Sequence, residues 1–383
     1  MRHQNSLLHQ LLQFVPWGRF DQLVESHDAD RRVRRLSTKS QFVALMYGQL
    51  SGAQSLREIE HGMASHARRL YHIGATAPAR STFADANTKR PAQLFADLFA
   101  LMTMSASRGL RRHLREAVHL VDATSIRLTD ASRAWADYEK HGALVKLHVD
   151  FDADRAIPAN IAITPARVND VCMVAAMPIE PGETYVFDLG YYDYSWWARL
   201  DAAGCRFVTR LKTNTHPRVI EERAVPPDGN IRSDRIVAID NRLMSNRKNP
   251  LAGISLREVV VAIDGGRYLR FVTNDLDAPA AEVAALYKAR WQIELFFRWV
   301  KQHLKIKKFL GTSENAIRIQ IAVALIVFLL LRLAAEATRS TASLLTFTRL
   351  VRANLMHLRP LHDLYKPPPV IVHDSRQQEL ALC

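Results

Sequence analysis

The sequence predicts an α/β chain with a helical N-terminal region, a strand-rich middle and a helical C-terminal third. Three observations carry this expectation. Apolar residues recur at helical spacing up to about residue 110. From about residue 116 the pattern turns to strand-like alternation and short β-branched runs. Helical spacing returns from about Pro279.

The elements follow in order. "LLHQLLQFV" has helical apolar spacing, and "SQFVALMYGQLSGAQSLREIEHGM" reads as two helices broken near Ser51-Gly52. In "ATAPARSTFADANTKRPAQLFADLFALM", Ser81 after a proline-containing turn is a candidate N-cap. Short arginine-rich helices joined by tight turns fit a helix-turn-helix DNA binder as well as a plain helical packing domain. "EAVHLVDATSIRL" alternates like a strand and carries Asp122. "ALVKLHVDFDADRAIPANIAIT" reads as a hairpin, Leu144 to Phe151 and Ala156 to Thr164, about a turn at residues 152–155. "ETYVFDLGYYDYSWWARL" is a short buried strand ended by Asp188, with Gly190 leading into a helix. Residues from about 206 to 275 form successive strands, with Asp264-Gly265-Gly266 as a hairpin turn. A helix from about Pro279 to Leu304 and an apolar helix over about 314–336 follow, then a Pro-rich, polar tail.

Composition narrows the function. The chain has 383 residues, 48% hydrophobic and 23% charged, a globular balance with room for two or three cores. Its net charge of +14 points to a polyanion, nucleic acid before a membrane surface. Cys172, Cys205 and Cys383 form neither a zinc spacing nor a disulfide framework, which suits a reducing cytoplasm. The first twenty residues lack the pattern of a signal peptide. The apolar run Ile321 to Leu331 is eleven residues, short of the roughly 20 a span needs, so a buried core helix and no membrane partner are expected.

"YKARWQIELFFRWVKQHLK", from Tyr287 to Lys305, is the most informative stretch. On one continuous helix, Tyr287, Arg290, Glu294 and Lys301 share a stripe about 60° wide, opposite Ile293, Phe296, Trp299, Val300 and Leu304. A solvated face with an Arg290–Glu294 ion pair is the plain explanation. The upstream acids favour another. Asp122 follows Val118, Leu120 and Val121, and Asp188 follows Tyr185, Val186 and Phe187. An acid at the end of an apolar strand is costly unless paired or metal-bound. Asp122, Asp188 and Glu294, separated by 66 and 106 residues (188−122 and 294−188), would form one site only through the fold. Three carboxylates suit two Mg²⁺ or Mn²⁺ ions, which serve phosphoryl transfer by activating the attacking oxygen and stabilising the leaving one. Arg290, Lys301 and Tyr287 then stand where phosphate contacts are needed, and the basic run through Lys305 to Lys308 adds to them.

The spacing Tyr287-x2-Arg290-x3-Glu294-x6-Lys301 resembles the Tyr-Arg-Glu-Lys signature of DDE-type insertion-sequence transposases, specifically the insertion-sequence-4 family. "HLVDATSIRL" and "YVFDLGYYDY" resemble its first and second Asp regions, and "FVTNDLD" with "LYKARWQIELFFRWVKQHLKIKKFLG" its third. The likeness covers nearly the whole chain, most securely residues 116–335. It implies a ribonuclease H-like catalytic core with a β-rich insertion between the second Asp and the Glu. The expected domains are 1–110, helical and DNA-binding; 116–205, first part of the core; 206–275, insertion; 276–340, second part of the core; and 341–383, a helix and loose tail. The resemblance implies a transposase that binds terminal inverted repeats and carries out metal-dependent DNA cleavage and strand transfer. Asp122, Asp188 and Glu294 would be catalytic and metal-binding; Tyr287, Arg290, Lys301 and Lys305 would contact DNA. Double-stranded DNA, at the transposon ends and the target, is the expected partner. A homodimer in the synaptic complex and a cytoplasmic, nucleoid-associated bacterial location complete the expectation. A DNA-binding protein that has lost catalysis and a stand-alone metal-dependent nuclease are the alternatives.

Overall fold

The computed structural model describes residues 5–110, 117–132, 137–139, 142–175, 177–225, 227, 229–239, 249–263, 265–303 and 309–366. The N-terminal part is helical: α1 (Leu7–Leu12), α2 (Trp17–Ser26), α3 (Thr38–Ser51), α4 (Leu56–Ala64), α5 (Ala67–Tyr71), α6 (Arg80–Lys89) and α7 (Ala92–Leu110). The break expected near Ser51-Gly52 is present. Gly52, at φ 81°, closes α3 in the left-handed conformation that glycine adopts without a Cβ penalty. The cap expected at Ser81 is not. α6 starts at Arg80 with Ala79 as its cap residue, so Ser81 falls inside the first turn.

The middle of the chain builds one sheet from β1 (Val118–Arg127), β2 (Asp137–Glu139), β3 (Gly142–Asp152), β4 (Ile157–Pro165), β5 (Thr184–Phe187), β6 (Arg206–Arg210), β7 (Arg218–Glu222), β8 (Ile231–Ala238), β9 (Ser255–Ile263) and β10 (Arg267–Thr273). Its order is β2-β3-β1-β5-β6-β10-β9-β8-β7, with β4 paired to β3. β1, β5 and β6 are parallel and central, and the flanking pairs are antiparallel. The helix α8 (Tyr194–Ala202) makes the β5-to-β6 crossover. The strands over 218–273 continue the same sheet, because β10 pairs antiparallel with β6. β6, at the edge of the region expected to be inserted, is the parallel neighbour of β5.

Both faces of the central strands are covered, which is why they read as unbroken apolar runs. Leu120, Val186 and Val208 face one core, with the N-terminal helices and the C-terminal helices. Val121, Tyr185, Phe187 and Phe207 face the other, with Trp196, Trp197 and Leu200 of α8. The C-terminal part contains α9 (Ala280–Ala289), α10 (Trp291–His303), α11 (Glu314–Ala337) and α12 (Leu344–Ala353). α11 is capped by Ser313, whose hydroxyl accepts from Ala316 N at 3.2 Å. It is buried on every side from Ile319 to Leu331 and packs against α3, α7 and α12. Long and apolar enough to cross a membrane, it is instead the spine of the larger core.

Candidate active site

Strand register brings the two aspartates together. β1 and β5 run parallel with Val121 opposite Phe187. Asp122 and Asp188 each follow these partners by one residue, so they emerge side by side where β5 ends. Asp188 then turns the chain: its Oδ1 accepts from Gly190 N at 2.8 Å and caps a short 3-10 turn over Leu189–Tyr191. β1 continues beyond Asp122 along β3, with Asp122 opposite Val149.

Glu294 reaches the same edge from the helical side. The expected single helix over Tyr287 to Lys301 is two helices, with Arg290 at the joint. There the hydrogen bonds shorten to three-residue spacing, Arg290 N to Tyr287 O at 3.2 Å and Ile293 N to Arg290 O at 3.1 Å. The loop before α9 is pinned from the sheet. Arg257, buried and paired with Asp234 at 2.7 Å, also donates to the carbonyls of Leu276 and Ala278. Arg206 bonds Asp275 at 3.1 Å and Glu282 at 2.8 Å. On the far side, Phe296 of α10 packs on Phe151 at 5.1 Å and on Phe328 of α11 at 5.0 Å.

At the joint, one guanidinium spans two acids. Arg290 Nη1 donates to Asp122 Oδ2 at 2.8 Å, and Nη2 donates to Glu294 Oε1 at 2.7 Å. Tyr287 supports it from behind. Its ring is buried, 4.6 Å from that of Phe271, with the guanidinium 5.7 Å from its centre. Burial works against the charge on Arg290, but Tyr287, Asp122 and Glu294 outweigh it and raise its pKa. Asp122 is affected in the opposite sense. Burial, then the charge of Asp188, push its carboxyl up to about 6, despite the Ala123 N–H and Arg290. Burial also raises the Tyr287 phenol.

The donors are all carboxylate oxygens, the class that hard divalent cations take. Burial and then the repulsion from Asp188 raise Asp122, a cation there would relieve that repulsion, and Arg290 is a cation already held between two of the acids. The residues therefore fit a divalent metal. Among the described residues no three acids, imidazoles or thiols are grouped closely enough to hold one ion as they stand.

The transposase DDE domain family matches residues 114–330, and so contains Asp122, Asp188 and Glu294. A Sinorhizobium fredii protein named as a transposase (y4zB) is 40% identical over 296 residues, 76% of this chain and 82% of that protein.

The chain belongs to the DDE-domain transposases.

A Geobacillus stearothermophilus protein named as the transposase of insertion sequence element IS5377 is 29% identical over 68% of this chain and 69% of its own. A Synechocystis protein named for element IS4SA is 26% identical over 78% and 84%. A domain of unknown function (DUF4372) matches residues 3–76. The protein is thus an insertion-sequence DNA transposase, an enzyme of DNA cleavage and strand transfer, from a family that in general depends on divalent metal.

Lys301 and several further residues of the transposase also have defined places. Lys301 is half-buried on α10, about two turns beyond Glu294. Lys305 lies outside the described residues. His119 bonds Asp150 at 2.7 Å and stacks on Tyr185, away from the acids. His148 bonds Thr164 at 2.8 Å, and burial lowers its pKa. Lys212 stands 4.3 Å over the Tyr192 ring, and the Arg210 charge acts on Tyr287. Trp196 and Trp197 are fully buried among Phe187, Tyr191, Tyr192 and Phe207 and pack α8. Trp299 packs edge-on against Phe328 at 4.9 Å, whereas Trp291, one turn before Glu294, is 51% exposed.

Asp170 is the residue that sequence reasoning left without a role. Lys146 Nζ holds its carboxylate at 3.1 Å, and its Oδ2 would lie 3.1 Å from a Cβ at Gly190, whose other neighbour is Asp188 Oδ1 at 3.0 Å. A fourth acid therefore borders the site, with His148 Nδ1 3.8 Å from its Oδ1. Its signal was faint: one acid in the polar turn "RVNDV" before an apolar stretch.

Proposed function

We propose that this transposase is of the insertion-sequence-4 type, with a cut-and-paste reaction run by Asp122, Asp188 and Glu294. The observation that carries the reading is the convergence of these acids: Asp122 on β1, Asp188 one residue past the end of its parallel neighbour β5, and Glu294 bonded through Arg290 to Asp122. β1, β3, β5 and β6 with their helices make the ribonuclease H-like core, the strands over 218–273 its insertion, and the helices over 7–110 the DNA-binding domain.

Asp122, Asp188 and Glu294 would hold two Mg²⁺ or Mn²⁺. Bound there, the ions would supply activation of the attacking oxygen and stabilisation of the leaving one. The chain's own residues do the positioning. Arg290 carries a five-donor fork that fits a phosphate as well as a carboxylate, so it passes from the acids to the transposon-end backbone when DNA arrives. Tyr287 keeps that fork aimed, and Lys301 and Lys305 extend the phosphate contacts along α10 and beyond. The partners are the terminal inverted repeats and target DNA, with two copies of the chain joining the ends. The setting is the bacterial cytoplasm, at the nucleoid.

The test is a strand-transfer assay with purified protein, DNA carrying the element's ends, and Mg²⁺ or Mn²⁺, beside Glu294→Gln. Wild type cutting at the boundary and joining ends to target, with a variant that only binds, is the expected result. Wild type that binds but neither cuts nor joins, like the variant, overturns the catalytic assignment.

A further inference from the structure

The N-terminal helices carry a second basic feature, remote in sequence from the acids. Between α2 and α3 the chain reads Asp28-Ala-Asp-Arg-Arg-Val-Arg-Arg-Leu36. Arg31, Arg32, Arg34 and Arg35 are all exposed. Arg31 has Asp28 at 3.7 Å, but no carboxylate among the described residues lies within ion-pair distance of Arg32, Arg34 or Arg35. A solvated arginine cluster on a loose loop would need no explanation. This loop is not loose.

Arg90 makes the difference. It is 6% exposed, and its guanidinium is spent on the loop's backbone. It donates to Ala29 O at 3.3 Å and to Leu36 O, one carbonyl near each end of the arginine run. Asp30 lies 3.4 Å away and itself accepts from Thr38 N and Oγ1, both at 2.7 Å. Gln41 accepts from Arg90 at 2.9 Å and donates to Asn87 at 2.8 Å. The backbone here is unusual: Arg32, inside the clamp, takes φ of 61°, and Asp28, just before it, 50°, where side chains other than glycine are uncommon. A buried cation is thus used to fix the shape of a loop whose exposed residues are cations.

The loop also has a facing wall and a fixed mount. It borders a groove of about 800 Å³ whose other side is α6, with Thr82, Asp85 and Lys89. Asn315, in the first turn of α11, donates to Asn87 O at 3.0 Å and to Arg90 O at 2.6 Å. The clamp is therefore held to the core helix that follows the acid-bearing α10.

We infer that Arg31, Arg32, Arg34 and Arg35, presented by the buried Arg90 clamp, form a phosphate-contact surface for duplex DNA. The inference rests on the DNA-transposase reading and assigns part of the DNA grip to this loop. Guanidinium forks match phosphate oxygens, and side chains already projected from a fixed backbone lose less freedom on binding. Contact of this kind does not read base sequence.

The experiment measures binding of a short fluorescent duplex of mixed sequence over a range of salt, without divalent metal. Each phosphate contact adds about 0.9 to the slope of log K against log salt. Arg34→Ala with Arg35→Ala is expected to weaken binding about tenfold or more at low salt and to reduce the slope by about 2. Arg34→Lys with Arg35→Lys keeps the charge and is expected to retain the slope. Equal thermal midpoints for all three proteins exclude misfolding. A double alanine variant with wild-type affinity and slope overturns the surface, and the cleavage assay with Glu294→Gln is untouched by that result. Wild type with no salt-dependent DNA binding would instead overturn the DNA-binding reading on which the surface depends.

Discussion

Asp122 and Arg290, 168 residues apart in the chain, meet at 2.8 Å, and the same guanidinium reaches Glu294 at 2.7 Å. The arginine neutralises two of the acids that we propose hold the metal. In the DNA-free protein it competes with any cation that approaches them.

Removing it should therefore favour metal. Arg290→Gln takes a positive charge from between two carboxylates. We expect Mn²⁺ to bind the DNA-free variant about tenfold more tightly, ~1.4 kcal/mol, by calorimetry or the spin resonance of free Mn²⁺. End cleavage should fall, since the proposed phosphate contact would be lost too. Unchanged or weaker Mn²⁺ binding would show that Arg290 does not compete for this site.

The raised pKa of Asp122 makes a prediction about stability. From an ordinary 3.8 it is pushed up to about 6, so the folded protein holds this proton more tightly than the unfolded chain. Below 3.8 both states carry it and stability is unaffected. Between 3.8 and 6 stability falls as pH rises, and above about 6 the whole cost remains. Asp122→Asn imitates the protonated acid. In metal-free buffer it should raise the unfolding midpoint near neutral pH and leave it unchanged below 3.8. A midpoint that drops near neutral pH would mean the Arg290 pair outweighs burial and repulsion.

Gly190 is a test of geometry. A Cβ there would meet Asp188 Oδ1 at 3.0 Å and Asp170 Oδ2 at 3.1 Å. Both are ends of side chains, so Gly190→Ala should fold with a near-normal midpoint while moving the carboxylates by a few tenths of an ångström. Small displacements of reacting groups are expensive, and we expect cleavage to slow by about ten- to a hundredfold. Full activity would place Asp188 outside the reacting set.

Trp197 separates packing from base contact. Its ring lies 5.4 Å from Phe207 and 4.8 Å from Tyr192, with no exposure. Trp197→Ala should cost about 3–5 kcal/mol in denaturant unfolding. A variant of wild-type stability that has lost DNA binding would reverse this assignment.

Much of this site was legible in one dimension because its parts are local. The short run Tyr185–Phe187 closed by Asp188, and Arg290 four residues before Glu294, are statements about neighbours. What was not legible depends on partners far along the chain. Nothing in "CRFVTR" says that β10 returns beside β6, because antiparallel pairing is chosen by the whole sheet. The break at Arg290 was hidden too, since no glycine or proline marks it. There α9 packs on the sheet and α10 on both the sheet and α11, so a sequence that reads as one helix is divided between two packing environments. Asp170 escaped for the same reason: it matters only through Lys146 and Gly190.

The parallel register of β1 and β5 bears on which genetic changes the protein can survive. The spacing of Asp122 and Asp188 is set by a backbone ladder, not by the side chains around them. Exchanging one apolar residue for another along Val118–Val121 or Thr184–Phe187 leaves the ladder, and so the spacing, in place. Losing or gaining a single codon inside either strand is different, because each step of one residue turns every later side chain to the opposite face. Such a change would send one aspartate into a hydrophobic layer while barely altering composition. Inactive descendants of this gene should therefore include in-frame indels in these two short stretches, whereas conservative missense changes there should accumulate in copies that still move.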